Sequence, residues 1–298
     1  MSKTCIAILG PTAVGKTAAA MELAKHYSTS VISADSRQCY KELNIGVAKP
    51  TPAELDSVEH FFINSHSVTD EVSAASFEKE ALLYAEKVFS KKDTLILAGG
   101  TGLYVKAFLE GMDVIPEVNA ELRNRIIEGY KTHGLHWLQE LLSKEDPLFA
   151  DKGEMRNPQR CMRALEVVRT TGRSILSEHT GIKKQRPFKT IKIGLELPRE
   201  MLYERINKRV DKMIDDGLIE EARALYSLRH FNALQTVGYR ELFEYFEERI
   251  SLADAIELIK QNTRHYAKRQ LTWFKKDADI KWFPPFSEQI LLYLGKVI

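Results

Sequence analysis

The chain has 298 residues, 44% of them hydrophobic and 28% charged, with a formal net charge of +2. That balance is one of an ordinary globular core, and no apolar run reaches the length of a membrane span. Cys5, Cys39 and Cys161 are few, odd in number and far apart, so they offer neither a disulfide framework nor a zinc pattern.

Residues 4–9 read as a buried strand entered directly from the N-terminus. No basic leader or cleavage site precedes it, and a cytoplasmic location is the expectation. The strand runs into Gly10-Pro11-Thr12-Ala13-Val14-Gly15-Lys16-Thr17, then a helix from about 18 to 26. Val31 to Ala34 reads as a second strand, 77–89 as a helix, Thr94 to Ala98 as a third strand and Ile191 to Leu197 as a later one. Strands alternating with helical patterns predict a parallel α/β sheet with helices on its faces. Between Pro116 and Pro187 the pattern turns helical and strand-poor, which predicts a helical domain inserted into the α/β core (1–115 and 188–298). From Glu200 to about Lys276 the chain reads as helical. His133 and His136 lie close together but lack a third metal ligand nearby. No heptad seam appears, which predicts a monomer.

Gly10 to Thr17 matches G-x-x-x-x-G-K-[ST] in full, with a strand before it and a helix after it. Glycines let such a loop turn its backbone N–H groups inward, and the helix N-terminus adds partial positive charge. The loop is therefore suited to a diphosphate, as in ATP-binding proteins. Lys16 reaches the phosphate oxygens, and Thr17 offers its hydroxyl to Mg²⁺. A nucleotide-hydrolysing protein of this class has a second apolar strand ending in an Mg²⁺-binding Asp. Here Thr94 to Ala98 ends in Gly99-Gly100-Thr101-Gly102, without a carboxylate. Val31 to Ala34 does end in Asp35, which by itself reads equally as a reactive acid or as a cap. A small-molecule or nucleotide kinase is the alternative reading of the loop.

Charge is uneven. Residues 1–150 carry 15 Lys and Arg against 20 Asp and Glu, whereas residues 151–298 carry 28 against 21. A basic C-terminal half points to a polyanionic partner. Asn157 and Pro158 look like a helix start, which puts Arg160 and Arg163 on one face. Ser251 and Asp254 begin another helix, with Leu252, Ile256, Ile259 and Tyr266 as its apolar stripe. Arg264, His265, Lys268, Arg269, Lys275 and Lys276 form its basic face. No acid occurs between Leu258 and Lys276, which favours contact with a phosphate backbone over a solvated surface. Trp273 and Phe274 could stack on bases, but core packing is the reading preferred for both.

Seven blocks together give a more specific reading: Gly10–Thr17, Ser33–Tyr40 (SADSRQCY), Gly46–Pro50 (GVAKP), Gly99–Tyr104 (GGTGLY), Pro158–Val167 (PQRCMRALEV), Val237–Glu241 (VGYRE) and Thr263–Phe274 (TRHYAKRQLTWF). In this order the chain resembles the tRNA dimethylallyltransferase (tRNA isopentenyltransferase) family over nearly its whole length. Cys39, Ser174 and His265 depart from the usual pattern. The resemblance implies a P-loop fold and transfer of a five-carbon chain from dimethylallyl diphosphate. The acceptor is the exocyclic amine of the adenosine 3′ to the anticodon, and pyrophosphate is released. It implies Asp35 as base, Thr101 at the target nucleotide, and Lys16 and Arg209 at the diphosphate. It further implies anticodon-loop contacts from Ser36, Arg37, Gln38, Arg123, Gln159, Arg160, Cys161, Met162 and Arg163, joined by Arg264, Lys268 and Arg269 on the basic face.

Overall fold

The computed structural model describes residues 3–113, 115, 118–178, 181–285 and 288–298. Its strands are β1 (Thr4–Leu9), β2 (Val31–Ser33), β3 (His60–Phe61), β4 (Thr94–Gly99), β5 (Lys189–Leu195) and β6 (Lys281–Phe283). They form one parallel sheet in the order β3-β2-β4-β1-β5-β6. Cys5, Ile6, Ala7 and Ile8 of β1 are fully buried, because parallel sheets are covered on both faces and their strands become unbroken apolar runs. That burial pushes the Cys5 thiol well above its ordinary range.

The sheet order places the C-terminal ends of β2, β4 and β1 side by side. Ser33 pairs with Ala98, and Leu9 with Gly99. Ligands of open α/β sheets bind beyond such ends. Three short segments therefore converge there: the loop after Leu9, the turn after Ser33 and the turn after Gly99.

The helices in chain order are α1 (Lys16–His26), α2 (Pro52–Ser57), α3 (Ala74–Phe89), α4 (Gly102–Glu110), α5 (Ala120–Glu145), α6 (Pro147–Lys152), α7 (Pro158–Thr171), α8 (Ile175–Glu178), α9 (Arg199–Asp215), α10 (Leu218–Ala224), α11 (Tyr239–Phe246), α12 (Leu252–Phe274) and α13 (Glu288–Val297). The chain divides into two compact units, Met1–Glu110 with Gln185–Ile298 and Gly111–Lys184. Of the boundaries expected for the insertion, Pro116 lies outside the described residues and Pro187 falls in the sheet unit.

In the sheet unit, Phe77 of α3 stacks on Tyr104 of α4 at 4.5 Å between centroids. Arg186 closes the same region. Its guanidinium donates to the carbonyls of Ala107 and Phe108 at the end of α4 and pairs with Glu78 at 2.8 Å. These are carbonyls that a helix end leaves without intrahelical partners, so the buried cation is both neutralised and hydrogen-bonded.

The helical unit has its own core of Ile126, Leu138, Leu142, Phe149, Cys161, Leu165 and Val167. Gly134, with φ 76° and ψ −168°, breaks α5 into two segments, a backbone angle that glycine adopts without penalty. Asn157 caps α7 through Arg160 N–H at 3.3 Å, as its sequence predicts. No helix among the described residues is long and apolar enough to cross a membrane.

Candidate active site

The glycine-rich loop follows β1. Gly10 has φ 147°, and a Cβ there would meet the Leu195 carbonyl oxygen at 2.6 Å, so no larger residue fits. Ala13 and Gly15 adopt left-handed φ values of 62° and 110°, which turn the loop into the start of α1 at Lys16. Thr12, Ala13, Gly15, Lys16 and Thr17 line a cavity of about 550 Å³. The Val14 side chain is buried in the core, so it anchors the loop from behind.

Lys16 Nζ donates to the Pro11 carbonyl of its own loop at 2.6 Å. Its pKa is pushed down to about 8, chiefly by burial and also by the Arg209 cation, with Asp35 opposing. Arg209 of α9 is likewise lowered by burial and supported by Asp35. Lys16, Arg209 and Asp35 thus form one electrostatic group, two cations to one carboxylate, a surplus that suits an anionic ligand.

A pH dependence follows. Lys16 loses its charge in the free protein as pH rises through about 8, whereas a bound diphosphate holds the charge on. Above that pH, binding must take up a proton. The affinity for inorganic pyrophosphate should fall by up to about tenfold per pH unit above 8, once the ligand's own ionisation is subtracted. Titration calorimetry in buffers of different ionisation enthalpy measures this uptake, and a pH-independent affinity between 7.5 and 9.5 would contradict it.

Asp35 follows β2. Its Oδ1 accepts the N–H groups of Arg37 at 2.9 Å and Gln38 at 3.4 Å, so the carboxylate does cap the turn, the plainer of the two readings its position allows. It also lines the loop cavity and a second cavity walled by Ser36, Arg37, Thr236, Gly238, Arg240 and Arg269. The two cavities share Thr12, Asp35, Val47, Arg209 and Tyr266. Asp35 therefore stands where two approaches meet, and capping and reactivity are compatible in one side chain.

Thr101 follows β4. Its Oγ1 accepts the Ser36 N–H at 3.1 Å, and its side chain meets the Tyr266 hydroxyl. That phenol end is enclosed by the cleft, although the residue as a whole is 36% exposed. Burial, and then Asp35, push its pKa up to about 12. Gln38 accepts from Ser33 Oγ at 3.1 Å and donates to the carbonyls of Val47 and Ala48. That second segment is fixed in turn by Glu221, whose carboxylate accepts the N–H groups of Asn44, Ile45 and Gly46 and the Tyr239 hydroxyl.

Several expectations are corrected. Tyr266 leaves the apolar stripe of α12, whose buried residues are Ala255, Ile259, Ala267, Gln270 and Phe274. Trp273 is 42% exposed and lies over Gly102, while Phe274 is core. Lys275 does not extend the basic face, since it pairs with Glu196 and sits over the Trp282 ring. Arg264 donates to Asn207 of α9 at 2.7 Å, whereas Lys268 and Arg269 are exposed. In the helical unit Cys161 and Met162 are buried, because they fall on the inward face of α7. The exposed residues of that turn are Gln159 and Arg160. Arg123 and Arg163 both reach Glu166, at 3.5 Å and 3.0 Å.

Sequence reasoning missed Tyr266, Gln270, Arg205 and Glu221. Arg205 lies one turn before Arg209 and lines the same cavity, a spacing that was available as a signal. Gln270 is a polar residue within a buried helical stripe, and that mismatch was its signal. Among the described residues no group of three His, Cys, Asp or Glu could hold a metal. A cation at the loop would rest on the Thr17 hydroxyl and on oxygens of the ligand, an arrangement Mg²⁺ accepts.

Fold and loop together define an α/β P-loop protein with a second, helical unit. The IPP transferase family model matches residues 38–277, and the chain belongs to that family. It is 49% identical over 285 residues to a tRNA dimethylallyltransferase of Cytophaga hutchinsonii, covering 96% of this chain and 94% of that one. It is 46% identical over 294 residues to tRNA dimethylallyltransferase 1 of Bacteroides fragilis, covering 98% of each. Among solved structures, the tRNA isopentenylpyrophosphate transferase of Bacillus halodurans superposes with a TM-score of 0.73 at 36% identity, covering 99% of this chain and 95% of that one. A eukaryotic dimethylallyltransferase acting on tRNA gives 0.81 at 26% identity, covering 99% and 79%.

Proposed function

We propose that this protein transfers the dimethylallyl group of dimethylallyl diphosphate to the exocyclic amine of the adenosine 3′ to the anticodon of tRNA. The observation that carries the assignment is the position of Asp35, on the wall shared by a phosphate-loop cavity and a second, arginine-bearing cavity. One opening suits the diphosphate, and the other suits a base turned out of its stack.

The nitrogen attacks the allylic carbon while the carbon–oxygen bond to the diphosphate breaks. An adenine amine is a weak nucleophile because its lone pair is delocalised into the ring. Asp35 takes the proton it sheds, as a positioned general base. Thr101 and Tyr266 hold the nucleotide beside it. The loop N–H groups, Lys16 and Arg209 stabilise the charge that grows on departing pyrophosphate. Thr17 would hold Mg²⁺, which would supply Lewis-acid stabilisation to the leaving group. Ser36, Arg37 and Arg269 border the acceptor side, and Gln38, which lines the loop cavity, is assigned to the anticodon loop from the same turn. The exposed cations Lys268 and Arg269, with Arg123, Gln159, Arg160 and Arg163 of the helical unit, are assigned to the anticodon stem-loop, whose phosphates attract Lys and Arg. The protein acts as a monomer in the cytoplasm.

Incubation with labelled dimethylallyl diphosphate, Mg²⁺ and unmodified tRNA, followed by nucleoside analysis, tests this reading. Label is expected in one adenosine per acceptor tRNA, next to the anticodon. Label elsewhere, or none, overturns the assignment.

A further inference from the structure

Gln270 is 6% exposed and lies near the C-terminal end of α12, far in sequence from the loop it touches. Its Oε1 accepts the Thr12 N–H at 2.8 Å, and its Nε2 donates to the Gly100 carbonyl at 2.8 Å. A backbone N–H only donates and a carbonyl only accepts, so these partners fix the orientation of the amide. The contact is close: a Cβ on Gly100 would collide with the Gln270 amide, and one on Gly102 with the Trp273 indole. Tyr266, Gln270 and Trp273 thus touch Thr101, Gly100 and Gly102 from one face of α12, at the four- and three-residue spacings of a helical row.

We infer that Gln270 is a positioning residue that ties the diphosphate loop to the turn carrying Thr101, and so sets the separation between donor carbon and acceptor nitrogen. The inference rests on the reaction proposed above. Thr12 belongs to the diphosphate loop. Gly100 is bonded in the chain to Thr101, which belongs to the acceptor side. One amide spans both. Its two polar ends are complementary to its partners in one sense only, so neither a carboxylate nor an apolar side chain of equal length replaces it. A carboxylate would oppose the Gly100 carbonyl, and an apolar chain would leave two buried backbone groups unpaired.

The test compares wild-type protein with Gln270→Met and Gln270→Glu in steady-state transfer, with donor and tRNA varied separately. A displacement of the two halves by about 1 Å can cost on the order of 100-fold in rate. Both variants are therefore expected to lose about that much in kcat. For Gln270→Met each KM stays within roughly threefold, the signature of an interaction felt in the transition state, whereas Gln270→Glu also raises donor KM because its carboxylate lines the diphosphate cavity. An unchanged kcat overturns the inference. So does a loss confined to donor KM, which would make Gln270 a local brace of the loop. Circular dichroism establishes folding, and if the Met variant does not fold the Glu variant carries the comparison. A wild type without transfer would sink the assigned reaction itself, whereas an active wild type matched by its variants would sink only the tie.

Discussion

Asp35→Asn is expected to lower kcat by between about 10²- and 10⁴-fold, the range over which a general base contributes, while tRNA affinity stays nearly unchanged. The asparagine is the informative substitution because Asp35 has two tasks. Its Oδ1 accepts from Arg37 and Gln38, and an amide oxygen does the same. What the amide cannot do is take a proton. Asp35→Ala removes both functions, so two N–H groups lose their partner and the turn that holds Ser36 and Arg37 loosens. If the carboxylate is the base, both variants lose transfer and only Ala also weakens tRNA binding. A fully active Asp35→Asn protein would reduce Asp35 to a cap. Gel-shift titration against unmodified tRNA and single-turnover transfer measure the two quantities separately.

Lys16→Met is expected to cost about 10²- to 10³-fold in kcat, the cost of one preorganised donor aimed at developing negative charge, together with weaker donor binding. The side chains are of similar length, so the cavity changes little in shape. The free protein should not lose stability. Lys16 is half-buried in the cleft, where desolvation disfavours its charge, so losing its hydrogen bond to the Pro11 carbonyl is offset by relief of that cost. A thermal midpoint equal to or above that of wild type, with transfer lost, separates a role in chemistry from a role in folding. A Lys16→Met protein with wild-type kcat and raised donor KM alone would show that the cation binds ground state and transition state equally.

The parts of the site written in consecutive residues were legible before the structure. The loop from Gly10 to Thr17 is a local motif between strand and helix, and its geometry depends on its own backbone. Asp35 was visible as the carboxylate ending an apolar strand, and α7 as a helix with cap and proline in sequence. The parts made by distant segments were not legible. The tie from Thr12 to Gln270 crosses 258 residues, and no periodicity reports it. The Tyr266 ring satisfies the stripe of α12 by spacing yet turns to Thr101, because the cleft gives its hydroxyl a partner. Cys161 and Met162 stood inside a motif block, and only packing shows that they face inward. Strands β3 and β6 span two and three residues, too short for an alternation to register. The empty end of β4, without an acid, gained its meaning from the sheet order, which sets Asp35 of the neighbouring strand beside the loop instead.

The central claim is that the Lys16 loop grips pyrophosphate expelled from carbon, and does not serve a nucleotide cleaved at phosphorus. It is tested most directly by measuring released products with dimethylallyl diphosphate, Mg²⁺ and tRNA present, and with ATP in a parallel reaction. The account predicts one pyrophosphate released per prenyl group attached to tRNA, with no ATP required and no ADP formed. Rapid ADP formation from ATP, with donor and tRNA unchanged, would contradict it and favour a kinase.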